Sequence, residues 1–209
     1  MIFYRNLYHS IRIQNKGSVY FLQSIIQYSH QLLAEIIQQG DIVIDATCGN
    51  GHDTVFLSKK VKESGKVYAF DIQEQAIKNT KKKLDDASIT NVSLIHDGHE
   101  HVKAYISEHS IAGAIFNLGY LPKGDHHIIT TPSSTLAAIE SILPLLKVRG
   151  RLVLVIYHGH EGGKDEKNAV IDYCAQLNQK YFQVLQYQFI NQVNEPPFII
   201  AIEKVNKLE

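Results

Sequence analysis

Ile42-Val43-Ile44-Asp45-Ala46-Thr47-Cys48-Gly49-Asn50-Gly51-His52-Asp53-Thr54 is the stretch that decides the fold. Ile42 to Ile44 is a β-branched run, the composition of a buried strand. Gly49 and Gly51 let the backbone turn tightly and approach a ligand at the carboxyl end of that strand. Helical periodicity follows, over 54–62. A Gly-x-Gly pair says little alone, but between a strand and a helix it marks a ligand-binding edge.

Upstream, Leu22 to Gln38 predicts an amphipathic helix, with Ile25, Ile26, Leu32, Leu33, Ile36 and Ile37 at helical spacing. Gly40 stands where its end wants a left-handed residue. Downstream, strands over 66–70, 92–95, 112–118 and 151–157 alternate with helices over 74–84, 100–108, 133–146 and 164–177. Such alternation implies a parallel sheet covered on both faces. The last two strands, over 183–190 and 198–204, have only Asn191 to Pro197 between them, so they should pair antiparallel. The expected fold is α/β: a Rossmann-like class I methyltransferase, its seven-stranded, mostly parallel sheet ending in a C-terminal antiparallel hairpin.

The chain has 209 residues, 44% apolar and 20% charged, which suits one packed domain over 21–209. Residues 1–20 read as a poorly ordered N-terminal extension; the short apolar run after Lys16 lacks a cleavage pattern. The formal net charge is zero, which argues against a general duplex binder. Two cysteines exclude a disulfide framework, and the histidines form no zinc motif, so no metal is expected. No apolar run reaches roughly 18 residues. Cytoplasmic residence is the simple reading, and a homodimer is compatible with the sequence.

Two features identify the ligand of the glycine turn. Thr54 stands where a third glycine would favour a pyrophosphate. Asp45 and Asp53 flank the turn, and carboxylates repel phosphate but attract an ammonium and a sulfonium. S-adenosylmethionine carries both charges. Asp71 ends the second strand, 20 residues after Gly51, the spacing of a carboxylate that grips ribose hydroxyls. Gln73 can reach the sugar or the amino-acid end. Asp97 can meet an adenine amine, with Gly98 allowing close stacking, and His99 can donate to the cofactor or face the substrate. Gly49, Asn50, Gly51 and Thr54 complete the candidate cofactor set.

The fourth strand runs into Asn117-Leu118-Gly119-Tyr120-Leu121-Pro122-Lys123-Gly124-Asp125. This segment resembles the Asn-Pro-Pro-Tyr loop of amino-group methyltransferases, with Leu118 and Gly119 replacing the prolines. In that loop an Asn side chain accepts from an amine and aims its lone pair at the methyl carbon. Asn117, Tyr120, Asp125 and His158 are the candidate catalytic residues; which of them takes a proton stays open.

These strings occur together with Phe70-Asp71-Ile72-Gln73, Tyr157-His158-Gly159-His160, Asn191-Gln192 and Pro196-Pro197-Phe198-Ile199. The set resembles the bacterial family labelled "putative rRNA methylase", over Ile25 to Lys204. The resemblance implies S-adenosylmethionine-dependent methylation of 5-aminomethyl-2-thiouridine at the tRNA wobble position. It also implies cofactor contacts from Asn50, Asp53, Asp71, Gln73 and His99. His52 departs from the small polar residue expected there. The partner would be a tRNA anticodon stem-loop, bound by stacking as much as by charge. Tyr120, Tyr157 and Phe198 are candidate stacking partners, and Lys123, Lys147, Arg149 and Arg151 candidate phosphate contacts. Rival readings are an rRNA or small-molecule methyltransferase, a nicotinamide-dependent oxidoreductase, and a non-catalytic cofactor-binding scaffold.

Overall fold

The computed structural model describes residues 14–15, 18–19, 22–107, 110–119 and 129–208. Of the extension expected over 1–20, the described part is β1 (Gln14–Asn15) and β2 (Ser18–Val19), which pair antiparallel. The rest of it lies outside the described residues. α1 (Ile25–Ala34) starts where Ser24 and Gln27 form a capping box, which satisfies donors the first turn leaves open. β3 (Ile42–Asp45), α2 (His52–Val61), β4 (Lys66–Asp71), α3 (Glu74–Asp86) and β5 (Val92–His96) follow.

The helix expected over 100–108 is shorter: a 3-10 turn, His99–His101, runs into α4 (Val102–Tyr105). Next come β6 (Ile111–Leu118), α5 (Pro132–Leu145), β7 (Leu146–Ile156), α6 (Gly163–Ala175), β8 (Phe182–Tyr187) and β9 (Phe198–Lys204). β7 begins five residues earlier than its apolar pattern suggests. Pro144 sits in the last turn of α5, and Leu146 already pairs with Ile111. The register then shifts between Ile111 and Gly113, and Arg149 takes a left-handed φ of 69°. The bulge hides the alternation from a sequence reading.

The seven strands lie in the order β5-β4-β3-β6-β7-β9-β8. β3 pairs in parallel with both β4 and β6, so the chain's progression reverses there. A crevice opens outside the carboxyl ends of strands at such a reversal. β9 runs antiparallel to β7 and β8, as the short connection requires. Successive strand residues face opposite sides. Val43, Val67 and Ile115 pack with Leu33 of α1 and Leu57 of α2. Ile44, Phe70 and Phe116 pack on the other face with Ile139 of α5 and Val170 of α6. Phe70 and Phe116 are fully buried, each stabilising by roughly 1.5–3 kcal/mol. No helix among the described residues is long and apolar enough to cross a membrane.

Two of the candidate phosphate contacts are occupied elsewhere. Lys147 and Arg151 sit at the amino end of β7, the edge opposite the crevice. The Lys147 ammonium pairs with Asp41 at 2.7 Å. The Arg151 guanidinium donates to Glu203 at 2.7 Å, to Glu35 at 2.8 Å and to the Leu32 carbonyl at 2.7 Å. It thereby fastens α1 to β7 and β9. Arg151→Ala removes three charge-assisted bonds from a largely buried group, and a loss of about 1–3 kcal/mol follows. Arg151→Lys should restore little, because an ammonium lacks the planar fork. Urea midpoints check this; an unchanged midpoint in Arg151→Ala would contradict it.

Candidate active site

A cavity of about 790 Å³ opens at the carboxyl edge, within the usual range for a small-molecule site. Five carboxylate residues line it: Asp53, Asp71, Asp97, Glu100 and Glu195. No Lys or Arg lines it among the described residues. Gly49 and Gly51 take φ of 50° and 76°, and the Gly51 N–H donates to the Cys48 carbonyl at 2.7 Å. A Cβ on Gly51 would come within 3.1 Å of the Thr80 backbone. The buried Thr80 hydroxyl braces the turn from below, donating to the Gly49 carbonyl at 3.0 Å.

Asp71 is oriented by two backbone donors, Gly49 N–H to Oδ2 and Gln73 N–H to Oδ1, each at 2.9 Å. Each oxygen keeps a lone pair for a ribose hydroxyl. Burial pushes the Asp71 carboxyl up from its ordinary range. Asn50 and Gln73 also line the cavity. The Asn50 Oδ1 accepts from Asn79 at 2.9 Å, which leaves its amide N–H groups as donors.

Asp97 is held by His101 at 2.9 Å, Tyr105 at 2.7 Å and the Gly98 N–H at 2.8 Å. His101, then Tyr105, hold its carboxyl down at about 2. The His99 Nδ1 meets the Ala46 carbonyl at 3.2 Å, so Nδ1 carries the hydrogen. Burial lowers the imidazole pKa and favours the neutral ring. Nε2 is therefore an acceptor, buried and with no partner among the described residues, where the sequence suggests a donor. A buried orphan acceptor in a cavity wall is a site for a ligand hydrogen.

Asp45, Gly51, Thr54 and Gly98 stand behind the wall instead of lining it. Asp45 is fully buried, and its Oδ2 accepts from the Thr54 hydroxyl at 2.6 Å. Burial, then the nearby Asp53, push its carboxyl up to about 8. Burial under the turn thus favours its neutral form.

Asn117 ends β6. Its N–H donates to the Thr47 hydroxyl at 2.7 Å, and its Nδ2 donates to Asp53 Oδ2 at 2.5 Å. Asp53 Oδ1 meets His30 Nε2 of α1 at 2.6 Å. The sequence reading missed His30, one polar residue in an amphipathic helix that precedes every motif. It also missed Glu166, which is buried and accepts from Thr135 at 2.6 Å and Thr130 at 2.7 Å. Thr130 in turn accepts from the Gly119 N–H at 3.0 Å, so Gly119 and Thr130 are tied together. Tyr120 and Asp125, with Lys123, lie outside the described residues. His158 lines the cavity, and burial lowers its pKa. Tyr157 is 38% exposed, but Phe198 is fully buried and paired with Ile156 in the sheet, so it offers no face to a base.

The cavity fits S-adenosylmethionine. Its carboxylates suit the ammonium and sulfonium, Asp71 suits the ribose, and the orphan His99 Nε2 accepts a ligand hydrogen. A pyrophosphate would meet repulsion throughout.

Asp45 gives stability a defined pH dependence. The folded chain binds its proton more tightly than the unfolded chain, whose carboxyl titrates near 4. That contribution is complete below about pH 4 and is lost as pH rises towards about 8. Asp45→Asn keeps an acceptor for Thr54 but cannot ionise. Melting temperatures between pH 5 and pH 8 should show this variant gaining on the parent chain as pH rises. A constant difference would refute a raised Asp45 pKa.

Comparison with known proteins agrees with this geometry. A family profile described as "Putative rRNA methylase" matches residues 67–203. A second, protein-L-isoaspartate(D-aspartate) O-methyltransferase, matches residues 3–109 and stops short of Asn117. The tRNA (mnm(5)s(2)U34)-methyltransferase, chloroplastic, of Arabidopsis thaliana is 34% identical over 200 residues, 91% of this chain and 73% of that protein. The "putative rRNA-methylase" of Clostridium thermocellum superposes with a TM-score of 0.87 at 43% identity, covering 89% of this chain and all of that one. A "putative methyltransferase" of Streptococcus mutans, solved in complex with SAH, superposes at 0.82 with 47% identity, covering 88% of this chain and all of that one. With the fold, the acidic cavity and these relatives in agreement, the chain belongs to the rRNA methylase family and is an S-adenosylmethionine-dependent methyltransferase.

Proposed function

We propose that the protein methylates the amine of 5-aminomethyl-2-thiouridine at the tRNA wobble position, giving the 5-methylaminomethyl form. The observation that carries this reading is the cavity's charge: five carboxylates and no Lys or Arg among its described lining. That field favours an amine over a phosphate or an acid as the second ligand. The wobble-uridine activity in the name of the Arabidopsis relative supports the same substrate.

Bound S-adenosylmethionine supplies a methyl carbon already activated by its sulfonium. Asp71 accepts from the ribose hydroxyls. Asp97 and His99 accept hydrogens at the adenine end, and Asn50, Asp53 and Gln73 hold the amino-acid end. Asn117 orients the acceptor. Its Nδ2 is committed to Asp53, so its Oδ1 is the free acceptor for an amine hydrogen. A hydrogen bond given to Oδ1 directs the amine lone pair away from Asn117, and little more than alignment is needed for an in-line displacement. His158 is a buried, neutral ring in the same cavity, suited to take a proton from the amine. Tyr157 is a partly exposed aromatic of the cavity wall, available for stacking a base.

The test is incubation of the pure protein and cofactor with tRNA bearing the aminomethyl base, with the same tRNA lacking it, and with rRNA. Nucleoside mass spectrometry should find methyl transfer to the first substrate alone; transfer to rRNA alone would refute the reading. Asn117→Ala should lower kcat about 100-fold with cofactor affinity nearly intact. Asp71→Ala should weaken binding of S-adenosylhomocysteine about 10- to 100-fold, as loss of a charged hydrogen-bond acceptor does. Calorimetry and steady-state kinetics separate the two effects.

A further inference from the structure

Of the residues beside the cavity, His30 has no part in the mechanism above, yet it touches a group that does. It lies on α1, outside every motif of the methyltransferase pattern. Its Nε2 is 2.6 Å from Asp53 Oδ1. Its ring stacks flat on Phe56 of α2, with centroids 4.0 Å apart and planes 2° from parallel. The pair is sheltered, with side-chain exposures of 27% for His30 and 11% for Asp53. The other oxygen of the same carboxylate takes the Asn117 amide.

An Asn amide can face either way, because its oxygen and nitrogen have nearly the same shape. The partner decides. A carboxylate accepts and does not donate, so Asp53 draws the Asn117 nitrogen and turns its oxygen outward. The terminal torsion of an Asp side chain is broad and two-fold, so it does not fix its own plane. A donor on Oδ1 opposite Asn117 on Oδ2 fixes it. The Phe56 ring sets the plane of the imidazole, and Arg151 sets the position of α1 through Glu35 and the Leu32 carbonyl.

We infer that His30 is a positioning residue for methyl transfer: through Asp53 it holds the Asn117 amide with its oxygen presented to the substrate amine. This inference rests on the amine-directed reading of Asn117. The relay is His30 Nε2–H to Asp53 Oδ1, then Asp53 Oδ2 from Asn117 Nδ2–H. His30 itself touches neither the amine nor the methyl carbon.

Three variants of His30 separate positioning from packing. His30→Phe keeps a ring on Phe56 but has no donor. His30→Gln can still donate to Asp53. His30→Phe combined with Asn117→Ala reports whether the two residues act on one step. With saturating cofactor and aminomethyl tRNA, His30→Phe should lower kcat about ten-fold or more, with a melting temperature close to that of the parent chain. His30→Gln should recover most of that loss. The double variant should be no slower than Asn117→Ala, since the amide to be positioned is gone. Normal kcat in His30→Phe, or a double variant slowed by the same factor as the single one, would overturn the inference while leaving the Asn117 reading intact. Normal kcat in Asn117→Ala would overturn both. Should His30→Phe not fold, failure of a folded His30→Gln to keep kcat within about ten-fold decides against the relay.

Discussion

The Asp53 carboxylate is the point on which the site depends. It belongs to α2, yet its two oxygens are held by a helix that precedes the first parallel strand and by the end of β6. These segments are 23 and 64 residues away in sequence. The sheet brings them together because β3 and β6 are neighbours at the reversal of strand order. In the proposed reading the crevice has a methyl-donor side, from the glycine turn to Asp97, and an acceptor side, from Asn117 to His158. Asp53 spans the two, so a hydrogen bond on one side bears on geometry on the other.

Charge is distributed in keeping with that division. The whole chain is neutral, but the cavity wall is acidic and two basic side chains of β7 are paired at the far edge of the sheet. Arg151 fastens α1, the helix that carries His30, to β7 and β9. Asp45 shows a different use of a carboxyl group. Buried behind the turn, where burial favours its neutral form, it accepts from the Thr54 hydroxyl and does not line the cavity.

Much of this was legible in the sequence, because strand and helix periodicity, the glycine turn and the spacing to Asp71 are local signals. The seven strands, their antiparallel end and the inward face of Asn117 follow from such signals. What escaped was set by the third dimension. Asp45 has the same sequence context as a ligand-facing acid, and only its burial separates the two roles. The start of β7 was hidden by the bulge at Arg149 and by Pro144 in the preceding turn. Phe198 looked like a stacking ring until its pairing with Ile156 put it inside the sheet. His30 had no signal, since a histidine on an amphipathic helix is meaningful only once its carboxylate partner is known.

The substrate is the central claim, and the nucleosides of a cell lacking this gene test it most directly. Mass spectrometry of digested tRNA should find 5-aminomethyl-2-thiouridine accumulating and its 5-methylaminomethyl form absent; the intact gene, but not the Asn117→Ala variant, should clear the first and restore the second. Wobble nucleosides identical to those of the parent strain would contradict the proposed activity.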